Sequence, residues 1–164
     1  MDQQNSSSLK FFDPVILRKS AIIDDGFALD NSFLPLPSIV ELSPSGTCNR
    51  TCSFCPRSDP NYPDVEEFMT LDLTKKLSTQ LSAVNFSGLV IFSGFVEPLL
   101  DKKIFEHIAV IRKYLPESRI EIVTNGDVLN EKRLRYLFKS GLSTLLISVY
   151  DGKEDADRFD KMCR

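Results

Sequence analysis

Hydrophobic and polar positions alternate between short, nearly unbroken apolar runs and longer stretches with helical spacing. The runs are "SIVELS" from Ser38, "GLVIFSG" from Gly88, "RIEIVTNG" from Arg119 and "STLLISVY" from Ser143, each bounded by turn formers. Amphipathic segments fill the gaps. Leu73, Leu77, Leu81 and Val84 recur at helical spacing behind a cap expected at Asp72, and Ile104, Phe105, Ile108, Ile111 and Leu115 do so behind Asp101. A third helix is expected to start at Asn130 and stop at Gly141. The order βαβαβαβ predicts right-handed crossovers and an α/β fold with parallel strands, either doubly wound or an incomplete barrel. Sheets of this kind bind ligands at the carboxyl ends of their strands.

Residues ahead of Ser38 do not continue the pattern. Met1 to Ser8 is polar, and Phe11 to Pro37 is mixed, with a hairpin turn expected at Asp25-Gly26 and a stop at "LPLP". The expected organisation is an N-terminal extension over 1–37 and one core domain over 38–164, which suits a chain of 164 residues. A hydrophobic share of 42% with 26% charged residues is that of a globular protein. The net charge of −3 provides no general attraction to nucleic acid or to an anionic membrane. With no signal-peptide pattern and no apolar run of membrane-spanning length, a cytoplasmic protein is expected.

Into this frame falls "GTCNRTCSFCP", directly after the first strand, with Cys48, Cys52 and Cys55 separated by three and two residues. One other cysteine, Cys163, lies far away in sequence, so a disulfide framework is not indicated and the cluster reads as metal-binding or redox-active. A structural zinc site wants four ligands in paired short spacings, and the remaining candidates are Cys163 and His107, the latter inside a predicted helix. Neither common ferredoxin spacing matches. Three thiolates can hold three irons of a cubane cluster and leave the fourth iron open. Iron-sulfur binding leads at this point, with zinc and a merely buried or reactive cysteine set as its alternatives.

"CNRTCSFC", with an aromatic residue before the last cysteine, resembles the CxxxCxΦC signature of the radical S-adenosylmethionine (radical SAM) superfamily. The resemblance implies a partial (βα) barrel, here with about four of its strands, in which Cys48, Cys52 and Cys55 ligate a 4Fe-4S cluster and S-adenosylmethionine chelates the open iron. It further implies reductive cleavage of the sulfonium to a 5'-deoxyadenosyl radical that abstracts a substrate hydrogen. A reductant such as flavodoxin or ferredoxin and a small-molecule or peptide substrate complete the picture. The proline after Cys55 is similar to that of SPASM-type subgroups with auxiliary clusters, although Cys163 alone does not make such a domain. Two alternatives stand beside this reading, a non-catalytic metal-binding module and a degenerate scaffold.

The other strand ends extend the resemblance. "FSGFVEPLL" is similar to the family's glycine-rich segment, which implies Ser93, Gly94 and Glu97 as contacts to the methionine amino group. Val96 stands where one form of that segment has glycine, so a positive φ there would be strained. "VTNG" resembles a segment whose asparagine, here Asn125, lies near the nucleoside. "ISVYDG" resembles an SxD pattern that implies Ser148 at the ribose or carboxylate, with Asp151 nearby. Arg57 is expected to be solvated and His107 structural. Four strands before "KMCR" would leave an open sheet edge, so a truncated chain completed by its missing C-terminal portion or a partner chain is expected.

Overall fold

The structure is a computed structural model that describes residues 28–29, 35–63, 65–150 and 152–164. The turn expected at Asp25-Gly26 and the residue Asp151 lie outside the described residues. Two residues of β1 (Ala28–Leu29) pair antiparallel with β2 (Pro35–Leu36). The four-stranded sheet follows: β3 (Ile39–Leu42), β4 (Leu89–Phe92), β5 (Arg119–Thr124) and β6 (Thr144–Ile147), all parallel and side by side in chain order. Every strand of this sheet, β3 to β6, lies within one of the four apolar runs.

Three helices serve as crossovers, α1 (Leu71–Ala83), α2 (Ile104–Tyr114) and α3 (Glu131–Lys139), and α4 (Lys153–Cys163) follows the last strand. Helix α4 carries no sequence signal comparable to the others, because it is mostly charged and buries only Phe159. Strand β4 is buried throughout, as a central strand of a parallel sheet covered on both faces must be. Phe92, Ile104, Ile108, Ile111, Ile120, Ile122 and Leu137 form the core between sheet and helices. Of the α2 stripe Ile104, Ile108, Ile111 and Leu115 are buried and Phe105 is partly so, and Asn130 caps α3 by accepting from the Arg133 N–H at 2.9 Å.

Two helix starts differ from expectation. Thr70, not Asp72, caps α1, its hydroxyl accepting from the Leu73 N–H at 3.2 Å. Asp72 sits within the first turn, where its charge suits the helix dipole. Asp101 caps the turn before α2 instead of α2 itself, accepting from the Lys103 N–H at 2.8 Å.

The packed face of α1 also differs. Leu81 and Val84 reach the core, but Leu73 is 44% exposed, and the buried positions are Thr74 and Ser78. The cause is His107 on α2, fully buried, whose Nδ1 lies 2.6 Å from the Thr74 hydroxyl and whose Nε2 lies 3.1 Å from Asp101 Oδ2. A buried imidazole needs polar partners, so the α1 face opposite it is polar. Among the described residues no helix is long and apolar enough to cross a membrane.

Candidate functional site

The carboxyl ends of β3, β4, β5 and β6 open on one side of the sheet, and the loops that leave them enclose a pocket. Cys48, Cys52 and Cys55 from the first loop line it, together with Gly94 and Glu97 from the second, Asn125 from the third and Ser148 from the fourth. The sequence thus folds residues scattered over a hundred positions onto a single wall because each follows a parallel strand.

The cysteine loop is irregular apart from a short 3-10 turn over Pro56–Ser58, in which Pro56 takes the first position. It is pinned at its base by Gly46, whose N–H donates to Glu67 O, and by the Met69 N–H, which donates to Pro44 O. All three thiols are free and partly exposed. Burial pushes the Cys48 thiol up, and a hydrogen bond from the Arg50 backbone N–H acts against that shift. Among the described residues no three His, Cys, Asp or Glu side chains converge as the ligands of a single metal ion.

Glu97 is the hub of the second loop. Its Oε1 accepts from the Leu99 N–H at 2.9 Å and the Thr124 hydroxyl at 2.7 Å, and its Oε2 accepts from the Asn125 N–H at 2.8 Å. The carboxyl is 1% exposed, and burial raises its pKa above the ordinary carboxylate range although all three donors pull the other way. Its backbone N–H donates to Thr47 O, which joins the loop to the residue before Cys48. The positive φ of this segment falls on Gly94, at +115°, and Val96 adopts none, so the valine is unstrained. A Cβ on Gly94 would lie 2.5 Å from Ser43 Oγ.

Ser93 does not line the pocket. Its hydroxyl donates to Glu41, its N–H donates to Leu42 O, and its carbonyl accepts from the Ser43 hydroxyl. Asn125 follows β5 directly, with its Nδ2 2.9 Å from Asn49 Oδ1 and 3.9 Å from Cys48 Sγ. The next residue, Gly126, has φ +78°, and a Cβ there would fall 2.4 Å from the Phe159 ring. Ser148 is half-buried, and its N–H continues the ladder to Thr124 O.

Other residues around the pocket take roles that the sequence did not assign them. Arg57, expected in solvent, is buried: it donates to the carbonyls of Gly46 and Phe95 and lies over the Tyr62 ring at 5.3 Å. The guanidinium thereby braces the first loop against the second. Phe54 and Tyr150 meet across the mouth with ring centroids 5.0 Å apart, and both stay largely exposed. Asp127 holds both Arg50 and Asn49.

A family model described as the radical SAM superfamily matches residues 42–164. The chain is 36% identical over 115 residues to the S-adenosyl-L-methionine-dependent 2-deoxy-scyllo-inosamine dehydrogenase of Niallia circulans, covering 70% of this chain and 46% of that protein. It is 31% identical over 128 residues to a GTP 3',8-cyclase of Helicobacter pylori, covering 77% of this chain and 39% of that one. The crystal structure of BtrN in complex with AdoMet and 2-DOIA superposes with a TM-score of 0.70 at 34% identity, over 77% of this chain and 52% of that chain. The chain spans about half or less of the length of the relatives it matches. Motif, sheet order and the match over residues 42–164 agree: the chain belongs to the radical SAM superfamily.

Proposed function

We propose that this chain is the core part of a radical SAM enzyme, with Cys48, Cys52 and Cys55 as the protein ligands of a 4Fe-4S cluster. The observation that carries the reading is the shared wall: three thiols, one buried carboxylate, an amide and a hydroxyl, all at the ends of parallel strands. The donor set fits a cluster, since three of its irons would take one thiolate each and the sulfurs need not meet at a single point. When bound, the cluster and S-adenosylmethionine supply reductive cleavage of the sulfonium and a 5'-deoxyadenosyl radical that takes a hydrogen from substrate.

The chain's own residues hold, orient and shield. Glu97 places a fixed anion in a dry setting, which suits the amino group of S-adenosylmethionine, and its three donors keep the carboxylate from turning. Gly94 leaves backbone open on the same side. Asn125 and Ser148 offer an amide and a hydroxyl for the nucleoside and carboxylate, while Ser93 supports the turn from behind. Phe54 and Tyr150 give the mouth an aromatic rim.

The relatives, a 2-deoxy-scyllo-inosamine dehydrogenase and a GTP 3',8-cyclase, favour a small polar substrate over a peptide. The reading includes a core domain over 38–164 behind an extension over 1–37, a cytoplasmic setting, and a flavodoxin or ferredoxin as reductant. Anaerobic reconstitution of the full chain tests it. About four irons per chain, a spectrum perturbed by S-adenosylmethionine and 5'-deoxyadenosine on reduction are expected. Colourless protein that retains one zinc and binds no nucleoside would sink it.

A further inference from the structure

We propose that Asp127 is the positioning residue of the cysteine loop, locking the backbone between Cys48 and Cys52 onto the turn after β5 before any cluster is bound. The proposal rests on the role given above to those cysteines, but its geometry stands by itself. Asn49 and Arg50 are two of the three residues between Cys48 and Cys52, and both side chains end on one carboxylate. Arg50 Nε donates to Asp127 Oδ2 at 2.7 Å while its Nη2 meets Oδ1, a two-pronged pairing. Asn49 Nδ2 donates to the same Oδ2 at 2.8 Å.

The ring then closes through Asn125. Its Nδ2 donates to Asn49 Oδ1 at 2.9 Å, and its Oδ1 accepts from the Asp127 N–H at 3.0 Å. Four side chains from two loops form one network, with the Arg50 backbone N–H bonded to the Cys48 thiol. A lone exposed ion pair contributes little. Here the Arg50 and Asp127 side chains are 18% and 29% exposed and share their partners, so the contacts reinforce one another. Because Asn125 belongs to the same ring, the spacing of the thiols and the placement of the pocket amide are set together.

Hydrogen exchange on the reduced, metal-free chain tests the clamp directly. Asp127→Ala and Arg50→Ala are each expected to raise exchange in the Cys48 to Cys52 segment roughly tenfold and leave β4 unchanged. Arg50→Ala combined with Asp127→Ala should be no faster than Asp127→Ala alone, since the same interaction is lost. On reconstituted protein, iron loss to a chelator should accelerate in the same order. A general loss of stability would raise exchange everywhere, and that result, unchanged exchange, or purely additive effects overturns the proposal. Should Asp127→Ala not fold, Asp127→Asn with Arg50→Ala makes the same comparison. A chain that takes up no cluster defeats the enzyme reading, while the exchange data still decide the clamp.

Discussion

Asn125 and Glu97 stand in the loops that follow neighbouring strands, and the backbone N–H of the first donates to the carboxylate of the second at 2.8 Å. One acidic side chain thus sets the separation of two loops that both face the pocket. Glu97→Gln would present an NH2 where donors already point, and a loss of about 1–3 kcal/mol is expected, measured by denaturant midpoint. Burial raises the Glu97 pKa, so the folded chain binds that proton more tightly than the unfolded chain does. Its contribution to stability therefore falls as pH rises from the ordinary carboxylate value through the raised folded value, and Glu97→Gln should remove that slope. An unchanged midpoint and slope would exclude the hub role.

Gly94 and Val96 make a paired prediction. Gly94→Ala meets both a φ of +115° and a Cβ 2.5 Å from Ser43 Oγ, and should cost about 1–3 kcal/mol. Val96→Gly relieves no strain and should lower stability by only about 0.5–1 kcal/mol, through added chain freedom. Thermal melts of the two variants give the comparison, and the reverse ranking would contradict the loop geometry described for β4.

Thr74 and Leu73 are adjacent, yet only one is packed. Thr74→Val keeps the shape and removes the hydroxyl that faces His107, a loss of about 1–2 kcal/mol. Leu73→Ser changes an exposed position and should stay within about 0.5 kcal/mol. Urea titrations that rank the two the other way would restore the leucine stripe as the buried face.

His107 is the one histidine of the chain, so its titration can be followed by NMR without assignment. Burial lowers its pKa, against the opposing pull of Asp101. Below about pH 6.5 the unfolded chain takes up a proton that the folded chain resists, and stability falls as pH falls from there toward the lowered folded value. A midpoint at or above the ordinary histidine value would contradict the buried neutral ring.

Cys48→Ala, Cys52→Ala and Cys55→Ala should each reduce reconstituted iron to a small fraction of the parent, whereas Cys163→Ala should leave it intact. Cys163 is exposed at the end of α4 and does not line the pocket. Iron assays under anaerobic conditions decide this, and equal loss in Cys163→Ala would place the cluster elsewhere.

The four strands were legible because each is a compact apolar run between turn formers, and the cysteine motif because its spacing is local. Helix starts were less so: Thr70 and Asp72 are both good cap residues two positions apart, and only the backbone decides between them. The polar face of α1 was hidden because it answers to His107 on another helix, which no periodicity within α1 records. Helix α4 escaped notice for want of apolar residues. The roles of Arg57 and Asp127 emerged only in the folded chain, since a guanidinium that binds Gly46 O and Phe95 O looks in sequence like any surface arginine.

The ring of Phe159 rests where a Cβ of Gly126 would be, so the turn that presents Asn125 is floored by a residue that a helix, a strand and two loops separate from it. The same turn is tied from the other side, through Asn125 to Glu97 and Asn49 and through Asp127 to Arg50, so α4 supplies the floor beneath a turn held at its rim. A chain without the Phe159 ring would keep those ties and lose the floor, which makes a helix with one buried side chain a determinant of where Asn125 sits.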